Sequence, residues 1–404
     1  MIRSNKLTLT ALCGAHFVND AYSSVIFPLL PLLQIKLGLT TSQIFWLAPL
    51  YAISSSLMQP VYGMISDRYA KRLFAVFAPT VTAIFVSMIG IAPSYSVLIA
   101  LLIAGGVGIG SFHPQAAAMA AAASGDRRRV GMALFSATGT LGYAIGPISI
   151  AMISSSFGVE NSYYIAIVGI ITSVVLYRIC PPLESPAPQT GAHHKANSRL
   201  LAALGAVWKP LLLLYIITVI RSGLQLTTNN YLPFLLREQG YEIKGTGGVI
   251  TIFLLLGGVG GLVGGFLAER VSGRAITLYS GLLAAPLMMA AFLTAGPLSI
   301  ILLALGGFML LSTLPVNVAM AQELVPEQTS TVSALMMGAA WGVGALAPPG
   351  LDLLVPRYGF RAVLVGASAA TLLSALCAYF LPKDEPVQRR IVESEPATVA
   401  ATGD

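Results

Sequence analysis

His16 and Asp20 stand one helical turn apart inside an apolar run from about residue 8 to 33, so they share one face of a helix. A bare carboxylate in hydrocarbon is costly, so Asp20 must face a polar cavity, be protonated or have a partner. An acid in that position can take up and release a proton as its hydration changes. The alternative is a fixed hydrogen-bond acceptor that ties helices together. His113 lies in the second half of another apolar run, at about 96–121, and Pro114 after it should kink that helix. Imidazole exchanges protons near neutral pH. Its alternative is a packed histidine bonded to a backbone carbonyl beside the kink. Asp20 and His113 are therefore the candidates for moving a proton.

Arg221 is the sole basic residue deep in an apolar run. Guanidinium stays charged, so it needs an anion or a polar cavity. It could recognise an anionic ligand, pair with a carboxylate such as Asp20, or snorkel to the interface. Gln225 follows on its face, and Asn229 and Asn230 continue the polar stripe. Asn19, Gln115, Gln59 and Asn317 are further polar candidates inside apolar runs. The nucleophile–base pair or metal spacing of an enzyme is not evident, so none is expected. His193 and His194 adjoin without a third ligand, and the glycines at 257–265 follow no strand; we expect neither a metal nor a nucleotide cofactor.

These residues sit in a chain of 404 residues that is 56% hydrophobic and 10% charged, against about 25% charge in a soluble domain. The apolar runs approach the roughly 20 residues that cross a bilayer, and they lack the short alternation of a β-barrel. Twelve spans are predicted, at about 8–33, 43–64, 73–92, 96–121, 130–153, 161–180, 210–236, 247–268, 276–294, 297–321, 330–354 and 360–381. The first reads as an uncleaved helix. Residues 181–209 are polar and proline-rich and form a linker between 1–180 and 210–381, with a disordered tail over 382–404. If both termini are cytoplasmic, 17 of the 23 Lys and Arg fall on that side and 5 on the other, as the positive-inside rule requires. The net charge of +7 is then topological and implies no nucleic-acid partner. The three cysteines are scattered and suggest no disulfide framework.

The charged hairpin Gly63-Met64-Ile65-Ser66-Asp67-Arg68-Tyr69-Ala70-Lys71-Arg72 has a degraded copy at Gly265-Phe266-Leu267-Ala268-Glu269-Arg270-Val271-Ser272-Gly273-Arg274, each residue 202 positions on. Half the chain is therefore a duplicate of the other half. The hairpin resembles the helix 2–3 loop of the major facilitator superfamily. His16-Phe17-Val18-Asn19-Asp20, Phe112-His113-Pro114, Gly139-Thr140-Leu141-Gly142 and Ala321-Gln322-Glu323-Leu324-Val325-Pro326 resemble its fosmidomycin-resistance branch. Gly142-x-x-x-Gly146-Pro147 resembles the helix 5 motif of its antiporters.

The resemblance implies an all-α membrane protein of twelve transmembrane helices in two pseudo-symmetric six-helix bundles, with helices 1, 4, 7 and 10 lining a central cavity. It implies gating by Asp67, Arg68 and Arg72, by Glu269 and Arg270, and by Gly142, Gly146 and Pro147. Asp67 would meet the start of helix 11 near Gln328–Ser330, and Glu269 the start of helix 5 near Val130. The expected protein is a monomeric secondary transporter in the inner membrane. It would export a small anionic or amphiphilic compound in exchange for protons, with Arg221, Gln225, Asn229, Asn230, Asn19 and Gln115 binding the substrate and lipid around it. An importer of a small nutrient shares all but the helix 5 motif. A membrane sensor would leave the buried polar groups without purpose.

Overall fold

The computed structural model describes residues 5–65, 72–125, 128–180, 205, 207–325 and 332–383. Asp67, Arg68, the segment 328–330 and nearly all of the linker and tail lie outside them. Among the described residues, ten helices are long and apolar enough to cross a membrane: Thr41–Ile65, Leu73–Ile91, Tyr95–Ala123, Gly131–Phe157, Val159–Ile179, Trp208–Glu238, Ile243–Leu267, Gly273–Leu293, Gly296–Leu324 and Val355–Tyr379. These are spans 2–10 and 12. Spans 1 and 11 complete the twelve as interrupted helices, and no strand occurs among the described residues.

The interruptions have local causes. Span 1 runs as Lys6–Ser24 and then Ile26–Leu37. Pro28 has no N–H for the Ser24 carbonyl and its ring crowds it, so the helix breaks between them. Span 11 comprises Ala334–Ala339, Ala340–Gly344 and Ala347–Asp352, and its first piece is π-helical. Span 2 carries a matching π-helical turn at Ile53–Leu57. The two π turns meet between the halves, where a Cβ on Gly338 would lie 3.6 Å from the Ser56 carbonyl oxygen. Span 10 changes register between Leu311 and Leu314, just ahead of Pro315.

The duplication read from the hairpin is visible in side-chain contacts. Arg72, at the start of span 3, donates to the Tyr177 carbonyl at the end of span 6, and its guanidinium lies 4.9 Å from the centre of that ring. Arg274, at the start of span 9, donates to the Tyr379 carbonyl at 2.5 Å and lies 5.7 Å from that ring. Both members of the second pair stand 202 positions after those of the first. Arg72, expected at a gate, thus latches its own bundle here.

Glycine sets the closest helix approaches. In span 5 a Cβ on Gly142 would lie 2.0 Å from the Phe17 carbonyl oxygen, and one on Gly146 would lie 2.2 Å from that of Ala21. Span 5 therefore lies directly on span 1. Between the halves, spans 5 and 8 pack together. There a Cβ on Gly247 would meet the Pro147 carbonyl oxygen at 2.7 Å, and the Ile148 N–H donates to Thr251 Oγ1 at 3.1 Å. At the end away from residue 5, Phe45 of span 2 is fully buried against the other half. Its ring centre lies 4.4 Å from Tyr231, 5.5 Å from Phe234 and 6.1 Å from Phe360. That cluster packs the far ends of the two halves against each other.

Candidate functional site

Spans 1, 4 and 5 bring three ionisable groups together. His16 and Asp20 share a face of span 1 as expected, and His113 reaches them from span 4. His16 Nε2 lies 3.2 Å from Asp20 Oδ2, and His113 Nε2 lies 3.2 Å from Asp20 Oδ1. His16 Nδ1 lies 2.7 Å from the Phe135 carbonyl oxygen of span 5. His113 Nδ1 lies 2.8 Å from the Ile109 carbonyl oxygen in its own helix. His16 also stacks on the Phe135 ring at 4.1 Å between centres.

A carbonyl oxygen only accepts, so both Nδ1 atoms carry hydrogen and donate. Each Nε2 then faces a carboxylate oxygen. Asp20 Oδ1 is buried without a hydrogen-bond partner, its 3.2 Å approach to His113 Nε2 being a close contact rather than a hydrogen bond.

Gly139 completes the pocket. A Cβ there would stand 2.4 Å from His16 Nε2 and 2.8 Å from Asp20 Oδ2. Sequence reasoning placed Gly139 in a family-like stretch without a role, although its spacing to Gly142 and Gly146 marks one helix face. It also passed over the Phe135 and Ile109 carbonyls, which carry no residue-type signature. The three ligand atoms of His16, Asp20 and His113 lie within 4.8 Å of one another. This grouping qualifies the expectation that no metal-ligand set exists.

Asp20 and Arg221 do not pair. Arg221 is 4% exposed within the second half. Its Nη1 donates to the Leu310 carbonyl at 2.9 Å and, at 3.4 Å, to that of Met309. Its Nη2 donates to the Thr277 carbonyl at 3.1 Å and to Ser280 Oγ at 2.9 Å. Met309 and Leu310 end the first helix of span 10, where carbonyls lack intrahelical donors and the dipole is negative. Arg221 therefore caps that break and joins spans 7, 9 and 10. Arg221 Nε has no partner. Arg221 also lines a narrow cleft of about 10 Å³, room for about one water, together with Gln225, Thr313, Asn317 and Trp341.

The other polar candidates divide between the halves. Asn19 Oδ1 accepts from Thr82 Oγ1 at 2.9 Å, and its Nδ2 is buried without a partner. Gln115 is buried in span 4. Gln225, Asn229 and Asn230 are buried in span 7, with Gln225 Oε1 and Asn229 Oδ1 unpartnered. Asn230 Nδ2 donates to the Leu226 carbonyl at 2.7 Å. Asn229 Nδ2 reaches across to Tyr143 Oη of span 5 at 3.4 Å. Glu269 and Arg270 are exposed in the turn after span 8. The side chains at the start of span 5, where Glu269 was expected to bind, lie outside the described residues. Asp352, buried at the far end of span 11 with Oδ1 unpartnered, was missed altogether.

Paired half-bundles, a crossing of spans 5 and 8, and buried polar groups at mid-depth are the frame of a transporter. The family model of the Major Facilitator Superfamily matches residues 12–349 and 246–403. The chain belongs to the major facilitator superfamily. It is 28% identical to the fosmidomycin resistance protein of Escherichia coli over 382 residues, covering 93% of this chain and 92% of that protein. It is also 28% identical to the uncharacterized MFS-type transporter YfnC of Bacillus subtilis over 386 residues, covering 95% and 94%. Among solved structures, a bacterial homologue of the human lysosomal transporter Spinster, inward-facing and unoccupied, superposes with a TM-score of 0.73 at 18% identity, over 94% of this chain and 95% of that one. The protein is thus a multi-pass membrane transporter with the major facilitator fold.

Proposed function

We propose that this transporter exports a small amphiphilic or anionic compound across the inner membrane, with both termini cytoplasmic, in exchange for protons bound at the His16–Asp20–His113 triad. The observation that carries this reading is the pair of Nε2 atoms facing the two oxygens of one carboxylate, each Nδ1 tied to a backbone carbonyl. The triad holds its protons where span 1 meets spans 4 and 5. Opening to one side hydrates it, and losing protons breaks the contacts that hold span 4 against span 1. Substrate would bind between the halves along the span 7 stripe of Gln225, Asn229 and Asn230, with Asn19 and Gln115 opposite. Arg221 contributes there through the shape it gives span 10. Gly142, Gly146 and Pro147 provide the close contacts over which the halves rock, and the hairpin residues Asp67, Arg68, Glu269 and Arg270 govern the terminus-side gate.

Exchange rather than import is supported by the Gly142–Gly146–Pro147 motif and by the name of the resistance relative. The test uses inverted membrane vesicles with an imposed pH gradient and a panel of labelled amphiphiles and phosphonates. Uptake driven by an acidic interior, abolished in Asp20→Asn and at least tenfold lower in His113→Gln, is the expected result. Uptake that ignores the gradient, or wild-type uptake in Asp20→Asn, removes the triad from coupling. Movement in the opposite sense makes the protein an importer.

A further inference from the structure

The triad has the donor set of a metal site as well as of a proton store. Two imidazole nitrogens and a carboxylate, with both far nitrogens anchored on carbonyls, form the arrangement by which proteins orient metal-ligating histidines. Here the anchors are the Phe135 and Ile109 carbonyls, at 2.7 and 2.8 Å. Ligands that share a metal at about 2.1 Å sit roughly 3.0–3.4 Å apart, and each nitrogen–oxygen pair here is 3.2 Å apart. The whole set lies within 4.8 Å, so His113, the more exposed imidazole, must move inward by up to about 1.4 Å to close it. His113 is 26% exposed and Asp20 16% exposed, which leaves an approach for an ion and a coordination position for water.

We propose that His16, Asp20 and His113 bind one divalent transition cation of the Zn²⁺ or Co²⁺ class, in place of the two protons of the reading above. Imidazole and carboxylate ligands suit these ions rather than Mg²⁺ or Ca²⁺. If the two protons of the reading above occupy the triad, a divalent ion on neutral imidazoles and the carboxylate releases both and leaves the net charge of the pocket unchanged. Gly139 leaves the space beside His16 Nε2 and Asp20 Oδ2 that the bound set needs. A bound ion would hold spans 1 and 4 together and stop the cycle.

The experiment titrates purified full-length protein in detergent with Co²⁺ and follows its visible d–d absorption, then repeats the titration calorimetrically with Zn²⁺ in buffers of different protonation enthalpy. The chain has only four histidines, so His193→Ala/His194→Ala serves as the background and isolates His16 and His113. One ion per protein, with affinity at least about tenfold weaker in both His113→Gln and Asp20→Asn, is the expected result. Absence of binding, or equal affinity in both variants when thermal melting shows them folded, overturns the inference. If Asp20→Asn does not fold, His113→Gln and His113→Cys decide: Cys retains a ligand and should retain the ion, whereas Gln should lose it. Ion binding without proton release sustains the metal site and overturns the proton occupancy proposed above.

Discussion

Gly139→Ala is the sharpest probe of the triad, because it adds one carbon and no charge. The new Cβ would stand 2.4 Å from His16 Nε2 and Cε1 and 2.8 Å from Asp20 Oδ2. Ordinary contact begins near 3.4 Å, so His16 must retreat by about 1 Å. It has little room to do so, since its ring stacks on Phe135 at 4.1 Å and its Nδ1 is bonded to the backbone. A retreat of that size lengthens the 3.2 Å contact to Asp20 beyond hydrogen-bond range. Overpacking of this kind costs about 1–3 kcal/mol, which leaves most of the fold intact. We therefore expect near-normal expression, a melting temperature lower by a few degrees, and gradient-driven transport reduced at least tenfold with a flattened dependence on pH. The assay is initial uptake into inverted vesicles from pH 5.5 to 8.5, normalised to protein seen by fluorescence-detected gel filtration. Wild-type rates and an unchanged pH profile in folded Gly139→Ala would show that the spacing of His16 and Asp20 does not govern coupling.

Other substitutions separate packing from coupling. Gly142→Ala sets a Cβ 2.0 Å from a backbone oxygen rather than a side chain, so it should lower expression and thermal stability far more than Gly139→Ala does. Arg221→Lys loses the planar fork that reaches four acceptors; with charged hydrogen bonds contributing about 1.5–3 kcal/mol each, melting should fall sharply, and a larger loss of substrate binding than of stability would refute its capping role. Phe45→Ala removes the hub of the far-side cluster, so cysteines placed beside Tyr231 should label faster from that side; unchanged labelling would show that the cluster does not close that side.

The limits of legibility follow from what kinds of group do the bonding. Duplication, the twelve spans and the shared face of His16 and Asp20 are all written in residue types and their periods. His113 was visible as an ionisable group in the wrong solvent, but its arrival at Asp20 depends on how spans 1 and 4 pack. The partners that orient both imidazoles are backbone carbonyls, which every residue possesses, so no spacing rule points to them. Arg221 shows the same gap. Its need for a negative partner was evident, yet its partners within the chain are the carbonyl end of a broken helix and not Asp20. Asp352 escaped because a single carboxylate near the end of a run looks like a loop residue.

The two arginine–tyrosine latches fasten the third helix of each half to its sixth, on the side of the termini. Each half thereby carries a buckle of its own. A chain severed within 181–209 should consequently still assemble when its two fragments are made in the same cell. Loss of Arg72 should then loosen the early fragment alone, and loss of Arg274 only the late one.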